Sequence, residues 1–348
     1  MNRPTPPLLE LVICTYNNAS MLDLALSSLA RQEPSTQADW ACLVVDNNCT
    51  DATADVVAGH MRAGRIPGLR LVHEPVQGLT PARLRGVMST SAPWIGFIDD
   101  DCLLRDDWVR NGIHFALEHP TAGGFGGRVV LDWEQPPRGY VKRHGWCFAE
   151  QDHGPAERIV PALAGAGLVL RRTAIEESGW VDEPLLADRV GHELTSGGDV
   201  EMSLRVAGSG HELWYTPACE LRHRIPERRT SFAYVAAMTR ALGASQAYAD
   251  ALVWKGSVAS WLATSVGRLC RAALVSSAMI PAAIRSRTRA ADLAISLSFL
   301  FGRTRGYYRV IRMDRDRRQA LIGGAHPTRR LRRPLLREAS DGGLRRPG

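Results

Sequence analysis

The feature that most constrains this chain is an alternation, across its first third, of short apolar runs with amphipathic stretches. LLELVICTY (8–16), ACLVVD (41–46), LRLVHE (69–74) and WIGFID (94–99) read as strands. Residues 20–32, residues 51–62 and a segment opened by Thr80 and Pro81 read as the helices between them. Ser20 and Thr80 are the expected caps, with Pro81 at a first helical position where a missing N–H costs nothing. Apolar strands separated by amphipathic helices predict an α/β fold, a mostly parallel sheet with helices on both faces. In such sheets ligands bind beyond the carboxyl ends of the strands. Polar clusters stand at three of those ends: Thr15-Tyr16-Asn17, Asp46-Asn47-Asn48 and Asp99-Asp100-Asp101.

Residues 123–133 and 160–170 are expected to be further strands, joined by a long connection (134–158) rich in Pro, Gly, aromatic and charged residues. A connection of that length inside a compact domain is usually functional or mobile. A helix near 199–207 ends at Gly208 and leads into the strand HELWYT (211–216). After about residue 230 the pattern is helical only. Residues 252–284 are mostly apolar but carry Lys255, Arg268 and Arg271, and 292–301 form a second, shorter apolar stretch. Three regions are therefore expected: 1–230, a helical extension over 231–310, and a basic, disordered tail over 311–348.

Charge is distributed unevenly. Residues 303–348 hold fourteen Arg and four acidic residues, a charge of +10 against +7 for the whole chain, which leaves the remainder at −3. A nucleic-acid-binding body would carry the basic face itself, so nucleic acid is not an expected partner. The seven cysteines are scattered and form no C-x-x-C pair, which fits a reducing compartment better than a disulfide framework or a structural zinc site. Residues 1–10 contain three prolines and a Glu, so no secretory leader is expected. No uninterrupted apolar run is long enough to span a bilayer.

Within this frame a few residues could carry chemistry. Three adjacent carboxylates are costly to bury, so Asp99-Asp100-Asp101 must face solvent or a cation. On an extended segment residues i and i+2 point the same way, so Asp99 and Asp101 could share an ion such as Mg²⁺ or Mn²⁺, both of which favour oxygen ligands. The other reading is a solvated acidic loop. Asp46, in VVDNNCTD, could accept a hydrogen bond from a base or merely cap a turn. Arg83 and Arg85 lie in a helix after a Gly-containing turn, where Arg suits a diphosphate, although a solvated basic face is the commoner use of such a pair. Asp199, after two glycines, is either a general base for a hydroxyl or an N-cap. His223 is a further candidate metal ligand. GAGLVL (165–170) lacks the third glycine of a dinucleotide fingerprint and lies late in the chain.

Taken in order, these segments resemble the family 2 glycosyltransferases of bacterial type. VICTYNN (12–18) is similar to that family's opening strand and nucleotide-binding turn, and VVDNNCTD to its second, with Asp46 at the uracil-contacting position. HEPVQGLTPARLRG (73–86) resembles its Gly-x-x-x-Ala-Arg-Asn segment, with Arg83 at the arginine. IGFIDDDC resembles its Asp-x-Asp metal motif through Asp99 and Asp101. GAGLVLRRTAIEESGWVDEPL (165–185) resembles its acceptor-side segment, and SGGDVEMSLR its Glu-Asp helix. Leu84, Gly198 and Gly167 stand where the family usually has Asn, Glu and Asn.

The resemblance, over roughly residues 8–226, implies the GT-A fold and an inverting, metal-dependent sugar transfer in bacterial polysaccharide or glycolipid assembly. It implies a nucleotide-sugar donor, UDP-linked first, and a carbohydrate or lipid-linked acceptor. Thr15, Tyr16, Asn17, Asp46 and Arg83 would hold the nucleotide, with Asp99 at the ribose or the metal. Asp101 would ligate Mn²⁺ or Mg²⁺, and Asp199 would be the base. Loop 134–158 would close over donor or acceptor. A catalytically weak nucleotide-sugar-binding scaffold and a sugar nucleotidyltransferase stay open beside this reading. The apolar stretches and basic tail suggest peripheral attachment to the cytoplasmic face of a membrane. The alternative is that those helices pack on the body or in a dimer.

Overall fold

The computed structural model describes residues 5–33, 39–186 and 197–325. Its first part follows the expected alternation: β1 (Leu9–Thr15), α1 (Ala19–Leu29), β2 (Trp40–Asp46), α2 (Thr53–Ala63), β3 (Arg70–His73), α3 (Leu79–Met88) and β4 (Trp94–Asp99). There follow β5 (Cys102–Leu104), α4 (Trp108–Glu118), β6 (Gly124–Gly126), β7 (Val129–Trp133), α5 (Gly139–Arg143), β8 (Arg158–Val160), β9 (Leu168–Arg171), α6 (Arg172–Glu177), α7 (Gly198–Gly208), β10 (Leu213–Tyr215) and β11 (Leu221–Ile225). The chain closes with α8 (Phe232–Leu252), α9 (Val258–Ala278), α10 (Ile280–Arg285), α11 (Arg287–Arg312) and α12 (Arg315–Leu321).

Eight strands form one sheet in the order β3-β2-β1-β4-β9-β6-β10-β8. The four strands read from the sequence run parallel, and β9 enters antiparallel between β4 and β6. A small second sheet, β5-β11-β7, stands apart from the main one. Strand β1 has neighbours on both edges and helices over both faces, which is why it reads as a nearly unbroken apolar run. Its side chains alternate: Leu9, Leu11 and Ile13 pack with Leu22 and Leu26 of α1, Val57 of α2 and Trp108 of α4. Val12 points the other way, into a cluster with Ala82 of α3, Ile175 of α6 and Met202 of α7. Full burial of each such side chain contributes about 1.5–3 kcal/mol.

Several boundaries differ from expectation. Asn18, not Ser20, occupies the cap position of α1. Helix α3 begins after Gly78, so Thr80 and Pro81 lie inside its first turn, and Thr80 Oγ1 is buried without a hydrogen bond among the described residues. The expected strands at 123–133 and 160–170 break into β6 and β7, and β8 and β9. Loop 134–158 contains α5 and a 3₁₀ turn at Gly145–Phe148. The expected disordered tail is helical where it is described, since α11 runs to Arg312 and α12 follows. Residues 326–348 lie outside the described residues.

The C-terminal helices are part of the same body. Met238 and Val235 of α8 and Ile295 of α11 pack with Tyr140, Val141, Cys147 and Phe148 from loop 134–158. Two buried carboxylates reinforce this. Asp292 of α11 takes Arg143 Nη2 at 2.7 Å, and Asp250 of α8 takes Arg303 Nη2 at 2.6 Å. Residues 292–301, expected to be free for a membrane, therefore begin in an anchored helix. Helices α8 and α11 meet backbone to backbone: a Cβ on Gly302 would lie 1.9 Å from the Arg240 carbonyl oxygen, and one on Gly243 would lie 2.2 Å from that of Phe299. Gly302→Ala is expected to destabilise by about 1–3 kcal/mol through overpacking. Gly267→Ala, in α9 with nothing within 4 Å, is expected to add up to about 1 kcal/mol by helix propensity alone. Urea denaturation of the two variants checks this, and equal midpoints would refute the backbone contact.

Candidate active site

The carboxyl ends of β1, β2 and β4 open on one cavity of about 720 Å³. Thr15, Tyr16, Asn17, Arg83, Asp99, Asp101, Asp199 and His223, all read from the sequence, line it. Asp46 does not. The turn after β1 is fastened to the end of β4: Thr15 Oγ1 donates to Asp100 Oδ2 at 2.7 Å, and Asn18 Nδ2 donates to Asp100 Oδ1 at 2.8 Å. Burial, then the neighbouring Asp101 charge, pushes the Asp100 carboxyl up to about 7 against those two hydrogen bonds. The middle carboxylate of the triplet is thus a structural tie. Asn17 has a left-handed φ of 49°, which Asn tolerates better than most residues. Its Oδ1 accepts from Thr50 N at 2.7 Å, joining the first turn to the second.

In the second turn the roles are divided. Asp46 Oδ1 accepts from Cys49 N at 2.7 Å, and Oδ2 lies 3.6 Å from His73 Nδ1. It caps the turn, the alternative that the sequence left open. Asn47 reaches the cavity instead. Its Nδ2 donates to the carbonyls of Glu74 and Val76 at 3.1 and 2.7 Å, and its Oδ1 accepts from Gly78 N at 2.8 Å. Asn47 therefore fixes the segment that leads into α3 and places Arg83. The only sequence signal for it is a second polar residue directly after a buried strand. Arg83 is buried and lines the cavity, whereas Arg85 pairs with Glu74 at 3.1 Å on another side of the helix.

Asp101 is buried between Arg229 and His223. Arg229 Nη1 lies 2.8 Å from Oδ2, and His223 Nε2 lies 3.2 Å from Oδ1. His223 Nδ1 sits 2.7 Å from the Phe148 carbonyl oxygen, so that nitrogen carries the donated proton and Nε2 is left to face Asp101. Burial disfavours protonation of His223, but the charge and hydrogen bond of Asp101 outweigh it and raise its pKa. Ligand atoms of Asp99, Asp101 and Cys102 lie within 4.8 Å of one another. Burial first, then Asp101, holds the Cys102 thiol well above its usual pKa, so it stays protonated. Two carboxylates and an imidazole with its far nitrogen pinned form a donor set that fits a hard divalent ion, with substrate oxygens completing the shell. Arg229 went unnoticed in the sequence. Its signal is the basic pair that follows Pro226-Glu227.

Across the cavity, Asp199 stands in the first turn of α7. A Cβ on Gly165 would lie 2.3 Å from Asp199 Oδ2, so a side chain there would displace the carboxylate. Gly167 has φ +75°, a left-handed backbone that Gly adopts freely and Asn tolerates. Glu201, the other acid of α7, is fully buried and accepts from Leu185 N at 2.8 Å, Leu186 N at 2.7 Å and Arg205 Nη1 at 3.1 Å. The remaining wall is apolar and comes from loop 134–158 and α8, through Trp146, Phe148, Tyr234, Met238 and Leu242.

The family model described as Glycosyl transferase family 2 matches residues 10–179, the part that carries β1 to β9. Over those residues the chain carries a family 2 glycosyltransferase domain. Among curated proteins it is 36% identical over 107 residues to validoxylamine A glucosyltransferase of Streptomyces hygroscopicus, 30% of this chain and 24% of that protein. It is 26% identical over 273 residues to the pre-mycofactocin glycosyltransferase of Mycobacterium tuberculosis, 74% of this chain and 52% of that protein. It is also 22% identical over 211 residues to glycosyltransferase AglE of Haloferax volcanii, 61% of this chain and 65% of that protein. The chain thus spans from about a quarter to two-thirds of these relatives. Among solved structures, a mannosyltransferase from Pyrobaculum calidifontis, in complex with GDP-Man and Mn²⁺, superposes with a TM-score of 0.57 at 16% identity over 88% of each chain. GalNAc-T7 with UDP, GalNAc and Mn²⁺ superposes with a TM-score of 0.51 at 14% identity, over 72% of this chain and 51% of that one. At those identities the likeness establishes the fold, which is GT-A.

The two acids of α7 should separate experimentally. Glu201→Gln leaves Arg205 buried without its partner and is expected to lower stability by about 3–5 kcal/mol. Asp199→Asn is expected to leave the melting temperature within a degree or two, since a partly exposed polar exchange costs about 0.5 kcal/mol or less. Thermal denaturation of both proteins measures the difference. A larger loss for Asp199→Asn would reverse the assignment of structural and chemical acid.

Proposed function

We propose that this chain transfers a sugar from a nucleoside-diphosphate donor to an acceptor hydroxyl, with inversion and with the help of a divalent cation. The observation that carries the reading is the convergence of Asp99, Asp101 and His223 with Arg83 and Asp199 on one cavity at the sheet's carboxyl edge. The family 2 domain and the nucleotide sugars and Mn²⁺ named for the solved relatives support it.

In this mechanism the nucleoside lies on the turn Thr15–Asn17, with Asn47 bracing the segment beside it. The buried Arg83 offers a charged fork to the diphosphate. Asp101 and His223 would hold Mn²⁺ or Mg²⁺, and Asp99 would serve the ion or the ribose. A divalent ion held there supplies Lewis-acid charge to the departing diphosphate. Asp199 takes the proton of the acceptor hydroxyl as its oxygen attacks the anomeric carbon opposite the leaving group. One base and one in-line displacement invert the centre, and the base contributes about 10²–10⁴-fold. The apolar wall of Trp146, Phe148 and α8 keeps water from the donor. The acceptor is a carbohydrate or a lipid-linked sugar of polysaccharide or glycolipid assembly. The seven free thiols agree with a cytoplasmic location.

A screen of nucleotide sugars by nucleoside-diphosphate release tests the reading. UDP-sugars come first, because the resemblance puts a uracil contact at Asp46. GDP-sugars come second, because Asp46 lies outside the lining and a solved relative holds GDP-Man. Turnover is expected to vanish in excess EDTA and in Asp101→Ala. Asp199→Asn is expected to keep donor binding and lose about 10²-fold or more in kcat. Full turnover in EDTA would remove the metal from the mechanism. Tight donor binding with no transfer to any acceptor would favour a scaffold, and consumption of a nucleoside triphosphate with pyrophosphate release would favour a nucleotidyltransferase.

A further inference from the structure

Helices α9 and α10 contribute nothing to the cavity lining, and most of their apolar surface faces outward. A surface helix normally turns its apolar side inward and its polar side to water. Over Val258–Arg285, 28 residues long and apolar enough in its best window to cross a membrane, only 6% of that window is buried. The side turned to the body carries Trp261, Ser265 and Ser276, all buried, Leu262 and Leu269, partly buried in the same cluster, and Arg268, whose Nη1 meets Asp250 at 3.1 Å. The opposite side, stepping by three or four residues, carries Val266, Cys270, Leu274, Ser277, Pro281 and Ile284, with no charge among them. Val266, Leu274 and Ile284 are 59%, 71% and 81% exposed. The Ser277 hydroxyl donates to the Leu274 carbonyl at 2.8 Å, so this polar group is satisfied within the helix and tolerates an apolar surrounding.

Charge selects the occupant of this face. From Ala251 to Ala291 the chain holds Lys255, Arg268, Arg271, Arg285, Arg287 and Arg289 and no acidic residue. Arg271 and Arg285, next in the chain to Cys270 and Ile284 of the stripe, are exposed, as are Arg287 and Arg289 just beyond it, the latter 3.7 Å from Asp292. A second copy of the chain meeting this face through a twofold axis would bring like charges together with no acid from either segment to pair them. A bilayer-spanning helix would have to strip Trp261 from its packing with Tyr307 and carry Arg268 and Arg271 into hydrocarbon. An anionic lipid surface meets both conditions, because acyl chains take the stripe and headgroup phosphates take the arginines.

We propose that the outward face of α9–α10 beds into the headgroup boundary of an anionic bilayer, lying along the surface without crossing it. This anchoring is separate from the chemistry of the cavity and would hold whatever sugar is transferred. The test is cosedimentation of the full chain with phosphatidylcholine vesicles, with and without phosphatidylglycerol. Binding is expected only with the anionic lipid and is expected to fall with salt. Leu274→Glu together with Ile284→Glu is expected to reduce it by about tenfold or more, with an unchanged melting temperature because both side chains are exposed. Arg285→Gln with Arg287→Gln is expected to weaken binding and flatten its salt dependence. Equal binding to neutral vesicles, or binding that survives Leu274→Glu with Ile284→Glu, would overturn the proposal. So would retention through an alkaline wash, which means insertion. A dimer abolished by those same two substitutions, without lipid binding, would assign the face to a second copy.

Discussion

Three consecutive carboxylates cannot share the end of one strand in a half-closed cleft unless each finds its own counter-group. Asp100 turns back to the hydroxyl of Thr15 and the amide of Asn18. Asp101 is gripped by His223 and Arg229. Asp99 faces the cavity beside it. This division ties β1 to β4 at the point where the nucleotide turn begins, and ties β4 to β11 and to the 3₁₀ turn Glu227–Thr230 that carries Arg229 before α8. The Arg224 amide also donates to the Asp101 carbonyl at 2.8 Å, so backbone and side chain hold the same junction. Much of the geometry of the site follows from how this one patch of negative charge is neutralised.

The same junction explains why the C-terminal helices complete the site. Phe148 accepts the proton of His223 Nδ1 through its carbonyl, and its ring packs in the cluster that holds Met238 and Ile295. Loop 134–158, which has little regular structure of its own, is thereby pressed between the sheet and α8. Asp292 locks the far side through Arg143. The close backbone contact at Gly243 and Gly302 brings α8 and α11 together tightly enough for both to reach that loop. Opening the helix pair would therefore remove one wall of the cavity and loosen the orientation of His223.

Pairs of identical or similar residues take opposite fates here, with periodicity as the cause. Arg83 and Arg85 differ by two positions on a helix, so they point to nearly opposite sides. One lines the cavity and the other pairs with Glu74. Asp199 and Glu201 separate in the same way, one toward the cavity and one into the backbone donors of Leu185 and Leu186. On the turn after β2, Asp46 and Asn47 divide capping from bracing.

The sequence by itself determined the layered α/β arrangement, the parallel strands β1 to β4 and the edge where ligands bind, because period-two and period-3.6 apolar patterns encode burial directly. It also determined that Thr15–Asn17 and Asp99–Asp101 would stand at that edge, because polar residues just after buried strands have few structural uses. Partnership was left to the tertiary structure. That Asp100 is a tie, that Arg229 grips Asp101 from 128 positions away, and that α8 walls the cavity depend on long-range contacts that leave no periodic mark in the chain. The outward apolar face of α9 is of the same kind: the apolar stretch was legible, but which side of it meets the body was fixed only when Trp261 and Arg268 found Tyr307 and Asp250.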